Sequence, residues 1–325
     1  MIWDYRAPWW LPSGNLQTIY AAKVARRYDG LKPSWLRERW NTPDGDFVDV
    51  DWLIEETSLA SDTPLLVLFH GLEGSSSSHY AHAFAAEART RGWRMATPHF
   101  RGCSGELNWQ PRAYHSGDFE EIDWMLKKFR AQHAGPIFAV GVSLGGNALM
   151  RWAGEMGQVA AQSVAGIASI CSPIDLTASG KAIDSGFNKA VYARMFLSSM
   201  KPRAMEKLQQ FPGLFDSNEL MQANNLYAFD DVFTAPLHGF KNTDDYWHRA
   251  SAKPGLASVQ VPALVLNACN DPFIPASSLP RQDQVSEHVT LWQPKSGGHV
   301  GFTSGNFPGD LKEMPRAVLK WMTHG

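Results

Sequence analysis

The sequence predicts one α/β domain, a mostly parallel, doubly wound sheet into which a helical cap is inserted. Three observations point to this fold class. Short β-prone runs alternate with helix-like segments in both halves of the chain, a pattern typical of parallel sheets covered by helices. That alternation stops over residues 173–250 and then resumes. The 325 residues are 44 % apolar, which is enough to fill the core of one such domain.

Seven runs are predicted to be strands. The first, FVDVDWLI at 47–54, alternates apolar and polar residues, so we expect a half-exposed antiparallel edge. Most of the others are almost continuously apolar, as strands buried on both faces must be. They lie at 65–71, 95–100, 137–142, 164–171, 263–270 and 288–294.

Helices are predicted between these strands at 80–92, 119–132 and 147–157, and Gly92 and Gly157 stand where C-terminal caps usually occur. Residues 173–250 have no strand pattern. Instead, helical spacing is found there at 187–200, 202–211 and 217–233. Because the sheet pattern resumes at Val261 and needs its earlier strands, we expect 173–250 to be a cap within a single domain at 1–325.

The bulk composition argues against several classes of function. A formal charge of −2 provides no general field that would attract nucleic acid. Cys103, Cys171 and Cys269 are odd in number and far apart, so neither a disulfide framework nor a thiolate zinc site is expected. A reducing compartment fits this cysteine usage, and we expect a cytoplasmic protein.

Membrane contact is expected to be peripheral at most. Pro8 and Pro12 interrupt the start of the chain, so no secretory signal is predicted. No run of about 18 apolar residues is long enough to span a bilayer. Residues 23–40 hold six basic and two acidic residues together with Trp35 and Trp40. We expect a solvated face that packs the two tryptophans, and the alternative is a weak contact with an anionic lipid surface.

A candidate nucleophile stands in the stretch IFAVGVSLGGNALM at 137–150. Here an apolar strand ends on Ser143, which glycines surround, and a helix pattern follows. The G-x-S-x-G pattern alone is weak, but a strand before it and a helix after it are what a nucleophile elbow requires. The alternative is a plain strand-to-helix turn.

A serine nucleophile needs a base, and the base needs an orienting carboxylate. In elbow folds the chain order is Ser, Asp or Glu, then His. His299 follows the last predicted strand in the glycine-bearing loop KSGGHVGF, and it fits better than His288 or His324. For the acid, Asp271 follows the preceding strand, and Asp175 remains the alternative. The ordinary use of either aspartate would be as a helix cap or loop carboxylate.

The oxyanion formed during acyl transfer needs preorganised donors. The backbone N–H of Leu144, directly after the serine, is one candidate. The second is the N–H of Leu72, in the loop LFHGLEGSSSS after an early strand. His70 in this loop is expected to anchor it through its imidazole rather than to act as the base.

Other reactive residues are expected to be structural. His79 and His82 lie three apart with no carboxylate or cysteine to complete a metal site. Arg101 and Cys103, in HFRGCSGE at 99–106, are expected to support the floor of the site.

Taken together, these motifs resemble the α/β-hydrolase superfamily and, more narrowly, the YheT-like hydrolases. The segments that carry the resemblance are WLPSGNLQTIY (10–20), HGLEGSSSSHY (70–80), PHFRGCSGE (98–106), YHSGDFEEI (114–122), GVSLGGNALMRW (141–152), DDYWHRAS (244–251), NACNDPFIP (267–275) and GGHVGF (297–302). The resemblance implies a triad of Ser143, Asp271 and His299, in agreement with the order inferred above.

The chain departs from this family in two places. Where the family often has two adjacent aspartates before a proline, this chain has Asn270-Asp271-Pro272, which leaves one carboxylate. Some relatives carry an H-x-x-x-x-D pattern linked to acyl transfer, whereas here His115 is followed at that distance by Glu120. The second departure favours hydrolysis over acyl transfer.

The predicted function is therefore that of a serine esterase acting on short- to medium-chain or lipid esters through an acyl-enzyme. The alternatives are an acyltransferase or thioesterase that uses the same triad, and a catalytically silent binding scaffold. No cofactor or metal is expected, and the partner is a small-molecule or lipid ester. Cap residues are expected to line an acyl pocket, with simple packing as the alternative, and examples are Phe187, Val191, Met195 and Phe196.

Overall fold

The fold was analysed in a computed structural model that describes residues 3–55 and 59–324. Residues 1–2, 56–58 and 325 lie outside this description. They include both ends of the domain predicted at 1–325.

An eight-stranded sheet forms the centre of the molecule, with the strand order β1-β2-β4-β3-β5-β6-β7-β8. The first two pairs in this order, β1 with β2 and β2 with β4, are antiparallel, and the others are parallel. This confirms the predicted fold class. The strands are β1 (Trp35–Asn41), β2 (Phe47–Leu53), β3 (Leu65–Phe69), β4 (Arg94–Pro98), β5 (Ile137–Val142), β6 (Gly166–Ile170), β7 (Ala263–Leu266) and β8 (Val289–Trp292).

Helices cover both faces of the sheet. They are α1 (Gly14–Lys23), α2 (His79–Arg91), α3 (Phe119–Gln132), α4 (Leu144–Met156), α5 (Leu176–Ile183), α6 (Gly186–Asn188), α7 (Arg194–Gln210), α8 (Ser217–Gln222), α9 (Leu226–Phe229), α10 (Ala235–Leu237), α11 (Thr243–Ala250) and α12 (Glu313–His324). Side chains of α3 and α4 fill the core on one face, and those of α2 and α12 fill it on the other. Because β3, β5, β6, β7 and β8 are parallel neighbours, the loops after them meet at one edge.

The prediction that residues 47–54 form a half-exposed edge strand was wrong. β2 lies between β1 and β4, and its polar residues Asp49 and Asp51 are buried. The edge strand β1 supplies Arg39 and Arg37, whose guanidinium groups bind these two carboxylates. The polar residues of β2 therefore form buried ion pairs. In sequence, a strand with such residues shows the same alternation of apolar and polar positions as a strand with one face in water.

Asp51 is expected to stabilise the fold at neutral pH. Burial alone would raise its pKa, but hydrogen bonds from His99, Arg37 and Ser76 outweigh burial and hold the pKa below its usual range. A carboxyl whose pKa is depressed by folding contributes stability above its unfolded pKa, about 3.9, and loses it as the pH falls through the folded value. We expect Asp51→Asn to lower the free energy of unfolding at pH 7 by about 1–3 kcal/mol.

Urea unfolding of the wild type and Asp51→Asn, followed from pH 7 to pH 3, measures this effect. The difference between the two proteins should begin to shrink near pH 4, where the Asp51 carboxyl becomes protonated in the unfolded wild type, and should continue to shrink toward the lower pKa of the folded state. Asp62→Asn is the matched control because Asp62 is exposed. A difference that stays constant with pH would contradict the assignment.

Residues 173–250 contain helices and loops between β6 and β7. The sequence predicted a break between 200 and 202, and this was wrong, since α7 continues through Pro202. Proline deletes one backbone hydrogen bond in a helix interior, and the packing of Leu197 and Ala204 in a shared apolar cluster holds the helix on both sides of it. Two π-turns, at Lys189–Ala193 and Asp230–Thr234, extend the neighbouring helices.

Asn147 on α4 ties the end of this insertion to the sheet domain. Its buried side-chain amide donates to the carbonyl oxygens of Ser116 and Ala250, and its oxygen accepts from the N–H of Ala252. The insertion therefore ends at a fixed point beside the helix that follows Ser143.

Within the described ranges, no helix has the length and apolar character needed to cross a bilayer.

Candidate active site

Ser143 occupies a strained turn between β5 and α4. Its φ of 53° and ψ of −120° lie in a region that residues other than glycine rarely adopt. The turn brings α4 back against β3 so closely that a Cβ on Gly145 would lie 2.5 Å from the carbonyl oxygens of Phe69 and His70. Glycine is therefore required at 145, and the hydroxyl of Ser143 projects from the strand end as a nucleophile elbow requires.

The structure brings the three predicted triad residues together. His299 Nε2 lies 3.0 Å from Ser143 Oγ, and His299 Nδ1 lies 2.9 Å from Asp271 Oδ2. The other carboxylate oxygen of Asp271 accepts from the N–H of Phe273 at 2.8 Å. The Asp271 side chain is fully buried, which fixes its orientation toward the imidazole. Serine, imidazole and carboxylate form one continuous hydrogen-bonded chain.

The alternative residues lie elsewhere. Asp175 caps α5 by accepting from the N–H of Ala178, and it lies 3.7 Å from Lys253 Nζ. This is the ordinary use of an aspartate at a helix start. His288 is exposed at the beginning of β8, and His324 is exposed at the end of α12.

The N–H groups of Leu72 and Leu144 are both available beside the serine. Leu144 is the first residue of α4, where the helix dipole favours negative charge. Leu72 follows Gly71, whose position is so close that an added Cβ would lie 3.1 Å from Ser143 Cβ. In the described part of the chain, neither N–H has a protein hydrogen-bond partner. The arrangement can hold a developing oxyanion.

Two tyrosines anchor the loop that carries Leu72. The N–H of Gly71 donates to the hydroxyl of Tyr80 at 2.9 Å, and the N–H of Glu73 donates to the hydroxyl of Tyr114 at 3.1 Å. The N–H groups of Gly71 and Glu73 are thus hydrogen-bonded, whereas the N–H of Leu72 has no such partner among the described residues.

His70 anchors the same loop, as the sequence predicted. Its Nδ1 lies 2.8 Å from the carbonyl oxygen of Gly71, and its Nε2 accepts from the N–H of Phe100 at 3.1 Å. Burial lowers the pKa of His70 to about 3. The imidazole is therefore neutral, and both of its nitrogens are engaged with backbone.

The sequence reasoning missed two positioning residues on α1. Gln17 Oε1 accepts from the N–H of Gly297 at 2.8 Å and from the side-chain amide of Asn270 at 3.0 Å. Thr18 Oγ1 accepts from the N–H of His299 at 2.8 Å. Gln17 thereby connects the loop of Asp271 with the loop of His299, and Thr18 fixes the backbone of His299. The available signal was the segment WLPSGNLQTIY (10–20), which holds both residues and is one of those that carry the family resemblance.

Thr18→Val is expected to lower kcat by about tenfold and to leave KM within about twofold. The substitution keeps the shape of the side chain but deprives the N–H of His299 of its acceptor, a loss of about 1–3 kcal/mol that bears on the position of the base. Steady-state kinetics on a chromogenic ester measures the effect.

Thr90→Val is the matched control for this test. Thr90 makes the same hydrogen bond to a carbonyl four residues earlier in its helix as Thr18 does, but on an exposed face of α2. Equal kinetic effects of the two substitutions would contradict a positioning role for Thr18.

A cavity of about 1140 Å³, measured out to its opening, leads to Ser143. The helices of 173–250 supply much of its apolar lining, which includes Leu176, Ile183, Phe196, Met200, Phe229 and Phe233. Of the four cap residues expected to line an acyl pocket, only Phe196 does so. Phe187, Val191 and Met195 are exposed on another stripe of the same helical run, so this prediction was wrong for them.

The remaining candidates make structural contacts. His79 Nε2 lies 3.4 Å from the carbonyl oxygen of Val300, and His82 packs edge-on against Tyr28. Across residues 3–55 and 59–324, no three His, Cys, Asp or Glu side chains are grouped so that they could hold a metal ion. Arg101 binds the buried carboxylates of Asp46 and Glu121 and the exposed carboxylate of Asp44, while Cys103 is buried beside Arg203.

Comparison with known proteins gives three kinds of similarity. A family profile described as alpha/beta hydrolase fold matches residues 64–305. The chain is 37 % identical to YheT of Escherichia coli strain K12, a candidate esterase by name, over 95 % of this chain and 90 % of that protein. It is 27 % identical to the human phospholipase ABHD3 over 96 % of this chain and 77 % of that protein.

Two solved esterases share the architecture at low sequence identity. Est1E of Butyrivibrio proteoclasticus, solved with bound ferulic acid, has a TM-score of 0.56 at 14 % identity and covers 88 % of this chain and 98 % of its own. The Pyrococcus furiosus esterase Pf2001 has a TM-score of 0.53 at 14 % identity, covering 92 % of this chain and 95 % of its own. At this identity the likeness concerns the fold.

Proposed function

Since the chain belongs to the α/β-hydrolase fold family, and within it to the YheT-like hydrolases, we propose that it is a serine hydrolase that cleaves carboxylic esters through an acyl-enzyme. The observation that carries this proposal is the hydrogen-bonded chain from Ser143 Oγ through His299 to Asp271, with distances of 3.0 and 2.9 Å.

In the first half of the proposed reaction, His299 Nε2 takes the proton of Ser143 as Oγ attacks the ester carbonyl. Asp271 holds the Nδ1–H tautomer and stabilises the imidazolium that forms. The carbonyl oxygen becomes an oxyanion, and the amides of Leu72 and Leu144 bind it. When the tetrahedral intermediate collapses, His299 returns the proton to the departing alcohol, and the acyl group stays on Ser143.

In the second half, water replaces the alcohol. His299 removes a proton from this water as its oxygen attacks the acyl-enzyme, and the same two amides hold the second oxyanion. Collapse breaks the bond to Ser143 Oγ, which regains its proton from His299. The free acid leaves, and the enzyme returns to its starting state.

For the substrate, we propose esters with an acyl chain of medium length, including lipid esters. Aromatic and aliphatic side chains dominate the lining of the cavity, as is typical of sites that bind apolar ligands. The helices of 173–250 contribute that lining, which supports a role for them as a cap over Ser143. Relatives named as a phospholipase and a monoacylglycerol lipase support the same class of substrate.

A series of p-nitrophenyl esters of rising chain length tests this proposal. Each methylene buried in an apolar cavity contributes about 0.8 kcal/mol, so kcat/KM should rise by about fourfold per methylene until the cavity is full. A steady fall from the acetate onward would contradict the apolar acyl pocket. If the wild type neither cleaves any ester in the series nor reacts with a serine-directed fluorophosphonate, the esterase proposal fails.

A further inference from the structure

The helical run at 186–210 exposes an apolar stripe on its outer side. Phe187, Val191 and Met195 follow each other at spacings of four, so they line one side of the run, and their exposed fractions are 56, 36 and 49 %. The inner side of the run carries Phe196 and Met200, which line the cavity. Phe187, Val191 and Met195 do not line the cavity.

The charged residues along this part of the run are basic. Residues 185–205 contain four basic residues and no acidic one. Of these, Lys189 donates to the side-chain oxygen of Asn224 and Lys201 to the carbonyl oxygen of Met221, both neutral acceptors. Among the described residues, neither of these lysines nor Arg194 lies within ion-pair distance of a carboxylate. Asp184 interacts with Lys189 through charge without forming an ion pair with it, and Arg194 and Lys201 keep their positive charge on this side of the run.

The first helix and the residues just before it carry a second exposed apolar patch. Leu16 and Ile19 are exposed on α1, and Trp9 just before it is 90 % exposed. The basic residues nearest to this patch, Lys23, Arg26 and Arg27, follow at and beyond the end of α1, and Arg26 is paired with Asp29 and Asp310. The two patches are joined where the hydroxyl of Tyr192 donates to Asn15 Oδ1 at 2.8 Å. We call the two together the cationic apolar face, defined by 9–19 and 187–201.

This face lies next to the catalytic histidine. The ring of Tyr192 contacts Phe273 with centroids 4.6 Å apart, and Phe273 contacts His299 with centroids 4.2 Å apart. Two ring contacts thus separate the middle of the face from the proton-transfer group. A surface that binds here would be held beside the active site.

We propose that the cationic apolar face binds the surface of an anionic phospholipid layer. Exposed aromatic and aliphatic side chains that enter the interface, flanked by Lys and Arg that meet lipid phosphates, are the features of helices that lie on membranes. The charge favours lipid over a second copy of this chain, because a two-fold contact would place the same cations opposite each other.

Strand β1, within the basic segment predicted as an alternative lipid contact, is a weaker candidate for that contact. Residues 23–40 looked basic in sequence, but Arg37 and Arg39 bind Asp51 and Asp49 within the sheet. Trp40 is buried in the core. The charges of Arg37 and Arg39 are paired with buried carboxylates of the sheet, whereas Lys189 and Lys201 donate to neutral acceptors.

The test is co-sedimentation of Ser143→Ala with phospholipid vesicles, since this variant separates binding from turnover. We expect binding to vesicles that contain phosphatidylglycerol, much weaker binding to pure phosphatidylcholine vesicles, and a decline as salt is raised. In this background, the triple change Phe187→Ser, Val191→Ser and Met195→Ser should reduce partitioning at least tenfold. Lys189→Gln with Arg194→Gln should reduce it about fivefold per charge on the anionic vesicles alone.

The matched control replaces exposed apolar residues outside the face. Leu36→Ser and Val159→Ser remove exposed aliphatic side chains from β1 and from the turn after α4, and they should leave vesicle binding unchanged. The proposal is overturned if these controls weaken binding as much as the triple change, or if Ser143→Ala does not bind anionic vesicles. It is also overturned if sedimentation shows a dimer that the triple change dissociates, because the face would then join two copies.

Failure of this inference is distinguishable from failure of the proposed function. In the active protein, the triple change should leave kcat/KM on a soluble short-chain ester within about twofold, because Phe187, Val191 and Met195 do not line the cavity. Vesicle binding without cleavage of any ester would reject the esterase proposal alone. Cleavage of soluble esters without vesicle binding would reject the cationic apolar face alone.

Discussion

Ser143→Ala is expected to lower kcat/KM for ester hydrolysis by roughly 10⁴- to 10⁶-fold. The variant keeps the cavity and the amides of Leu72 and Leu144, so a small residual acceleration should remain. It loses Oγ, the atom that accepts the acyl group in the proposed reaction. Alanine differs from serine by one oxygen and meets the same strained φ, so the thermal midpoint should change little. Steady-state kinetics and a thermal melt measure the two quantities.

Ser77→Ala is the control for this substitution. Ser77 is exposed in the serine-rich loop before α2, and its loss should leave kcat/KM within about twofold. Fluorophosphonate labelling provides an independent readout, because it should occur in the wild type and Ser77→Ala and be absent in Ser143→Ala. Retained labelling of Ser143→Ala would place the reactive nucleophile elsewhere.

Asp271→Asn is expected to lower kcat by roughly 10³- to 10⁴-fold, the second largest effect. The amide has nearly the same shape as the carboxylate, but it favours the wrong tautomer of His299 and cannot stabilise the imidazolium. KM should change far less than kcat, because the cavity is untouched.

Asp175→Asn tests the competing assignment of the acid. Asparagine retains an oxygen that can cap α5, and Asp175 makes no contact with His299, so kcat should stay within about twofold. Kinetics of both variants on one ester, with thermal melts to show that each is folded, give a direct comparison. A larger loss in Asp175→Asn than in Asp271→Asn would reverse the assignment.

The fold class could be predicted because buried parallel strands leave a strong local pattern. The membership of the α/β-hydrolase family and of the YheT-like hydrolases confirms the resemblance carried by the sequence motifs. The relation of Ser143 to His299 could be predicted for a similar reason, since residues that follow parallel strands meet at one edge of the sheet. These inferences needed only the order of elements along the chain.

What the sequence could not predict depends on contacts between distant segments. The burial of Asp49 and Asp51 depends on arginines of β1, and a polar residue in a strand looks the same whether it faces water or a guanidinium. The outward stripe of Phe187, Val191 and Met195 depends on how the helical run is rotated, which its composition does not specify. In each case the pattern is present in the sequence, but the burial of the side chains is determined by segments that are distant in the sequence.

The contact of α1 with the His299 loop has a consequence for biosynthesis. Gln17 and Thr18 leave the ribosome early, whereas Gly297 and His299 leave it about 280 residues later. During translation, therefore, Ser143 is synthesised well before His299, the proposed base, and before the loop residues that bind Gln17 and Thr18 of α1. The proposed catalytic site is complete only when α1 and the loop of His299 are in contact, so we expect a chain that terminates before His299 to lack the proposed esterase activity.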